Sequence, residues 1–159
     1  MSARKILLPE DRTFYPKGQI AKLLTVEYIR GLFEGEGTFT NDKRPDGSRV
    51  PQVALRMHYR DKELIEGIRD YLGIKHRVYE YTYRGRHQAM LIIRDIATIK
   101  NIIVPLFKNN LLGNKGVQFE EWLKMFPYLN SLHHRNIPLK TAPPQELHPV
   151  GIGPTTFPM

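Results

Sequence analysis

Ten consecutive residues, Tyr28-Ile29-Arg30-Gly31-Leu32-Phe33-Glu34-Gly35-Glu36-Gly37, combine bare backbone with closely spaced carboxylates. Gly31 and Gly35 stand four apart, so on a helix they lie one above the other on a single face. Each costs roughly 1 kcal/mol relative to alanine inside a helix, and two on successive turns need a compensating reason. A bare ridge lets a second helix approach backbone to backbone. The chain holds one such ridge, so its partner is its own copy in a second subunit related by a two-fold axis. Crossing at the glycines gathers both copies of Glu34 and Glu36, and carboxylates so gathered repel one another. A divalent cation relieves that repulsion, and hard oxygen ligands suit Mg²⁺. In a basic protein the substrate for such a centre is a phosphodiester, cleaved by activated water with in-line displacement. The plainer alternative is a helix ending in two solvated acids with Gly37 as C-cap. The macrodipole, which disfavours carboxylates at a helix C-terminus, and the unexplained glycines weigh against it.

These residues need a scaffold, and hydrophobic periodicity supplies one. Val26, Ile29, Leu32 and Phe33 form the apolar stripe of a first helix, with Thr25 as N-cap. GTFTNDK and RVPQVALRMHYR read as two strands around the turn-forming Pro45-Asp46-Gly47. Leu64, Ile65, Ile68 and Leu72 follow at helical spacing between Asp61 as N-cap and Gly73 as stop. HRVYEYTYRGRHQAMLIIR is a second hairpin with a two-residue turn at Arg84-Gly85. Asp95 caps a helix through Ile99, Ile102, Ile103 and Leu106 that Pro105 is expected to kink or end early, and a last amphipathic helix is expected over 117–126. Residues 1–22 read as an N-terminal arm that can carry a short helix, 23–126 as one core domain, and 127–159, with seven of the twelve prolines, as an extended tail. The class is α+β: an antiparallel four-stranded sheet with helices on one face and the other face open.

Ile29–Gly37 (IRGLFEGEG) resembles the signature of the LAGLIDADG homing endonucleases, and the expected αββαββα order is that family's core fold. A single copy of the motif implies the homodimeric branch, in which each subunit reads half of a long pseudo-palindromic DNA site. By this resemblance Glu36 is the metal-binding catalytic carboxylate, the Gly35 carbonyl a further ligand, and Gly31, Glu34 and Gly35 belong to the dimer seam, Glu34 in a more structural role. Arg30 stands where the family motif has alanine and is expected beside the seam. Glutamates replace both aspartates, lengthening each arm. The basic residue the family keeps before its last core helix, near the scissile phosphates, matches Lys115. The polar residue that orders the attacking water falls at the end of the second strand, where His58, Tyr59 and Arg60 compete and His58 is chosen for its place on the open face. The implied cofactor is Mg²⁺, or Mn²⁺ or Ca²⁺ in its place.

Strand alternation turns Val53, Leu55 and Met57 towards the helices and leaves Gln52, Arg56 and His58 outward with Thr38, Thr40, Asp42 and Arg44. In the second hairpin Arg77, Tyr79, Tyr81, Tyr83, Arg86 and Gln88 share the open face, at the expense of an inward Glu80 that warns of a register error. Arginine, glutamine and threonine on a ribbon are the groups that reach base edges in the major groove, glutamine pairing with adenine N6/N7. Arg44, Arg49, Arg84, Arg86 and Lys108 suit phosphates. The alternative for the tyrosines is a second apolar cluster under the tail.

The whole composition agrees with this partner. Twenty-four Lys+Arg against 16 Asp+Glu give a net charge of +8, the electrostatic footprint of a nucleic-acid binder. The absence of cysteine excludes disulfide scaffolds, zinc ribbons and thiol nucleophiles, and His87, His133 and His134 lack ligand spacing for zinc. With no apolar run long enough for a membrane span and no signal-peptide core, the expectation is a cytoplasmic protein, or an organellar one in a eukaryotic host, with no membrane partner and no small-molecule cofactor. The leading reading is a homodimeric, Mg²⁺-dependent, site-specific endonuclease that breaks both strands of double-stranded DNA and promotes intron mobility. An initiator Met without self-splicing flanks favours a free-standing intron reading frame over an intein. Two alternatives are an RNA-splicing maturase or non-cleaving DNA-binding regulator of the same fold, and a ribosomal-type RNA binder, which explains the charge but not the glycine ridge.

Overall fold

The computed structural model describes residues 18–130 of the 159-residue chain. Residues 1–17 of the expected arm and 131–159 of the expected tail, with His133 and His134, lie outside the described residues. Four strands, β1 (Gly37–Lys43), β2 (Arg49–His58), β3 (Val78–Tyr83) and β4 (Arg86–Ile93), form one antiparallel sheet in the order β1-β2-β4-β3. Helices α1 (Ile20–Leu23), α2 (Val26–Glu36), α3 (Lys62–Tyr71), α4 (Ile96–Thr98), α5 (Val104–Phe107) and α6 (Asn114–Met125) complete the α+β architecture.

The register explains which side the helices cover. Phe39 pairs with Val53 and Val53 with Ile93, while Leu55 pairs with Leu91 and Leu91 with Val78. With a side-chain period of two, these residues share one face and pack against Ile29 and Phe33 of α2, Ile65 and Ile68 of α3, and Phe119, Trp122 and Leu123 of α6, Phe39 partly buried and the others fully. The core extends past its expected ends: Ile20 packs against it from α1, and Leu129, in the 3₁₀ turn Pro127–Asn130, is buried. Gly67 leaves room for α1, because a Cβ there would lie 2.7 Å from Ile20 Cγ2.

The turns follow their residue types. Asp46 Oδ1 accepts from Ser48 N and Oγ in the first hairpin loop, and Arg84 and Gly85 take positive φ (49° and 73°) in the second, as a two-residue type I′ turn requires. Three expectations need correction. Pro105 neither ends nor breaks its helix. The chain widens into a π turn over Ile99–Ile103, in which Val104 N–H reaches back to Ile99 O, and α5 continues with proline in its first turn, where no N–H is needed. The last helix starts at Asn114 rather than Val117, because three polar or small residues ahead of its apolar stripe extend it without entering the core. Asp61 occupies the N-cap of α3, but its side chain makes no capping bond, since it ends a 3₁₀ turn (Tyr59–Asp61) that already leads into the helix.

Candidate functional site

Glu36 is the last residue of α2 and Gly37 the first of β1, so the acid sits where the helix hands the chain to the sheet. This junction is tight: a Cβ on Gly37 would meet Phe33 Cδ1 at 2.5 Å and Phe33 O at 2.7 Å. Glu36 is exposed, makes no hydrogen bond or ion pair among the described residues, and opens into a pocket of about 370 Å³. That pocket also takes in His58 from the end of β2, together with Thr38, Thr40, Gln52, Arg56 and Gln88 of the open face. Side chains from β1, β2 and β4 thus converge on Glu36 through the sheet register.

Three side-chain ties to main-chain atoms hold α2 and the first residue of β1 against the stretch that runs from α5 into the first turn of α6. Arg30 Nε donates to Leu106 O at 2.8 Å, which holds its side chain against α5 of the same chain. Glu34 Oε1 accepts from Gly113 N at 3.1 Å and from Leu112 N. Lys115 Nζ donates to Gly37 O at 2.8 Å, which sets an ammonium one residue from the free carboxylate. Gly31 and Gly35 are exposed, and nothing outside their own helix lies within 4 Å of a Cβ built on either, so no packing within the chain accounts for glycine there.

His58 has a defined orientation. Its Nδ1 accepts from Arg60 N at 3.3 Å, so the neutral ring carries its proton on Nε2 and offers a donor. Its ring lies 4.7 Å from that of Tyr59, which stacks on His87 at 4.2 Å. His87 Nε2 lies 3.2 Å from Glu80, whose other oxygen accepts from Lys62 Nζ at 2.7 Å. Tyr59 and Arg60 belong to the following 3₁₀ turn and do not line the pocket with Glu36. The Lys62 ammonium bonded to Glu80 holds that carboxyl below the usual glutamate range, and Glu80 raises Lys62 in return. Glu80 does lie on the helix side of β3, yet there is no register error: near the end of the sheet it stays exposed beside Lys62.

On the open face Tyr81 hydroxyl donates to Gln88 Oε1 at 2.8 Å, and the Arg56 guanidinium lies over the Tyr81 ring at 5.8 Å. Arg77 and Arg84 lie over Tyr79 and Tyr83 at 5.7 and 5.1 Å. The tyrosines thus carry the guanidiniums at the surface. Asp42 lies on the same face as Thr38 and Thr40, Arg44 enters the first loop, and Arg49 and Arg86 open their strands. Sequence reasoning missed Arg94, which donates through Nε to Gln52 Oε1 at 2.7 Å and lies 3.3 Å from Asp42 Oδ2. Its signal was present: the outward alternation of Arg86 and Gln88 runs on through Met90 and Ile92 to Arg94.

The sequence pattern described as "LAGLIDADG endonuclease" matches residues 29–126. The chain belongs to this family. Solved LAGLIDADG structures share its fold. I-LtrWI, a homing endonuclease bound to target DNA, is similar at 24% identity and a TM-score of 0.58 over 70% of this chain and 38% of its own. I-GzeII, in complex with a DNA target, gives 24% and 0.58 over 72% and 40%. I-TnaI, a homing endonuclease, gives 22% and 0.57 over 67% and 74%. The chain therefore spans about two-fifths of I-LtrWI and I-GzeII and about three-quarters of I-TnaI. Among the described residues no three acidic or histidine side chains converge as a metal cluster, and no helix is long and apolar enough to cross a membrane.

Proposed function

We propose that this chain is one subunit of a homodimeric, divalent-metal-dependent homing endonuclease that cuts both strands within a long pseudo-palindromic DNA site and promotes intron mobility. The observation that carries this reading is the shared pocket, in which Glu36, free of partners, meets His58 and the polar side chains of the open sheet. A net charge of +8 suits a phosphate backbone, and the neighbours described as bound to target DNA support that partner. The uncovered ridge at Gly31 and Gly35 supports a second copy as its occupant.

A single carboxylate with a main-chain carbonyl is half of an oxygen-donor set, and it fits Mg²⁺, which is commonly held by one or two carboxylates, water and substrate phosphate. Glu36 and the Gly35 carbonyl would hold the cation, which when bound stabilises charge on the scissile phosphate and favours ionisation of water. Lys115, anchored on Gly37 O, brings positive charge to the phosphate as negative charge develops there. His58, with Nδ1 occupied, donates from Nε2 and so orients a water rather than removing its proton. Thr38, Thr40, Gln52, Arg56, Arg77, Tyr79, Tyr81 and Gln88 face the bases, and Arg44, Arg49, Arg84 and Arg86 the backbone.

The test is incubation of the purified protein with the intronless sequence flanking its own gene and Mg²⁺, alongside Glu36→Gln. Wild type is expected to cut, and the variant to bind the same duplex without cutting it. Binding without cleavage by either protein would select the non-cleaving regulator, and intron splicing stimulated equally by both would select the maturase.

A further inference from the structure

Adenine recognition by glutamine requires both ends of the amide: Oε1 accepts from N6–H while Nε2 donates to N7. At Gln52 one end is already taken. Val53 pairs with Ile93, which sets Gln52 across from Arg94 one step further along the ladder. Arg94 Nε donates to Gln52 Oε1 at 2.7 Å, and Asp42 Oδ2 lies 3.3 Å from the same nitrogen. A guanidinium has only donors, so the Gln52 atom that faces it must be the carbonyl oxygen. The Gln52 NH₂ group is left as the half of the amide free to meet a base, in the pocket that also holds Glu36. Asp42 and Gln52 come from β1 and β2 and Arg94 directly follows β4, so the link joins three neighbouring chain segments of the sheet and does not depend on one loop.

We propose that Arg94, held beside Asp42, is a positioning residue that fixes Gln52 as a donor-only reader selecting a keto base, guanine or thymine, in each half-site. Guanine offers O6 and N7 and thymine offers O4 as acceptors in the major groove. Cytosine offers only its N4 donor, and adenine sets its N6 donor beside N7. This corrects the adenine pairing that glutamine on a ribbon suggests, and it rests on the reading of the open face as a DNA surface.

The experiment is selection of bound duplexes from a randomised double-stranded DNA library, followed by sequencing. All proteins are full-length and carry Glu36→Gln so that bound duplexes are recovered whole. Comparing this parent with Gln52→Ala identifies the position that Gln52 reads, as the one whose preference disappears. At that position the parent is expected to enrich guanine or thymine on the order of tenfold, in the range of a single base contact. Arg94→Met, which keeps the apolar stem and removes the donor, is expected to shift that same position towards adenine and leave the rest of the site unchanged. Arg94 is about half exposed, so circular dichroism is expected to show an unchanged fold. Adenine already preferred by the parent, or a profile untouched by Arg94→Met, overturns the inference while the DNA-reading function stands. Absence of any enriched site with the parent overturns that function, and the inference with it.

Discussion

A free carboxylate at Glu36 and a committed one at Glu34 separate two acids that differ by only two positions. Glu36 makes no hydrogen bond or ion pair among the described residues, whereas Glu34 satisfies two main-chain N–H groups. In the proposed mechanism Lys115 is the residue whose removal isolates the charge brought to the phosphate. Lys115→Met is expected to lower kcat by about 10²-fold, the cost of losing one preorganised donor, with KM nearly unchanged in single-turnover assays. Glu80 predicts a pH dependence. Its folded-state carboxyl lies below the usual range through Lys62, so its stabilisation is present above the ordinary glutamate pKa and lost as pH falls through the lower folded value. Lys62 mirrors this, its stabilisation being lost as pH rises through its raised folded value. Thermal melts from about pH 5 down to about pH 3 are therefore expected to show a smaller decline in Tm for Glu80→Gln than for wild type. Glu36, Lys115 and His58 can be singled out in the sequence because spacing from a motif or a strand end locates them, and the structure brings Glu36 and His58 to one pocket. The outward place of Arg94 was equally readable from alternation, but its bond to Gln52 was not, because it depends on a cross-strand partner and a strand's own sequence carries no register.

The elements follow from periodicity wherever an apolar stripe reaches the core, as at Ile65 and Ile68 or Val53 and Leu55. They escape it where one residue changes the backbone repeat. The π turn over Ile99–Ile103 leaves the composition looking α-helical, and only the main-chain bond from Val104 to Ile99 reveals how Pro105 is accommodated. The start of α6 escaped for another reason: Asn114, Lys115 and Gly116 extend the helix without carrying its apolar stripe. The α2–β1 junction is the element boundary with the most at stake. Gly37→Ala would drive a Cβ into Phe33 O and its ring. Urea titration is expected to report a loss of about 1–3 kcal/mol, as overpacking costs elsewhere. Cleavage assayed well below the unfolding midpoint is expected to fall as well, because the shift moves Glu36.

For the assembled molecule, the ridge at Gly31 and Gly35 makes a prediction in which stability and assembly part company. Gly31→Leu meets open space in the single chain and replaces a poor helix former, so the isolated subunit gains roughly 0.8 kcal/mol of helix propensity. Sedimentation velocity is expected to show dimers for wild type and folded monomers for the variant, with cleavage lost. Dimers of the variant would contradict the seam. The fold class and the bare ridge were readable from sequence, since helical and strand periods fix the layers. The proposed junction of two copies is readable only as a need, because nothing local identifies what fills an empty helix face. One arrangement has a wider consequence. Arg30, Glu34 and Lys115 all grip carbonyl oxygens or amide hydrogens, and the partners at 106, 112 and 113 offer atoms that almost every amino acid owns. Leu112 is therefore free to drift, or to be rewritten by a designer grafting new loops, while Leu106 is fixed by the core. A Cβ at 113 would press on Glu34 Oε2 at 3.1 Å, and proline at 112 or 113 would unfasten the clasp.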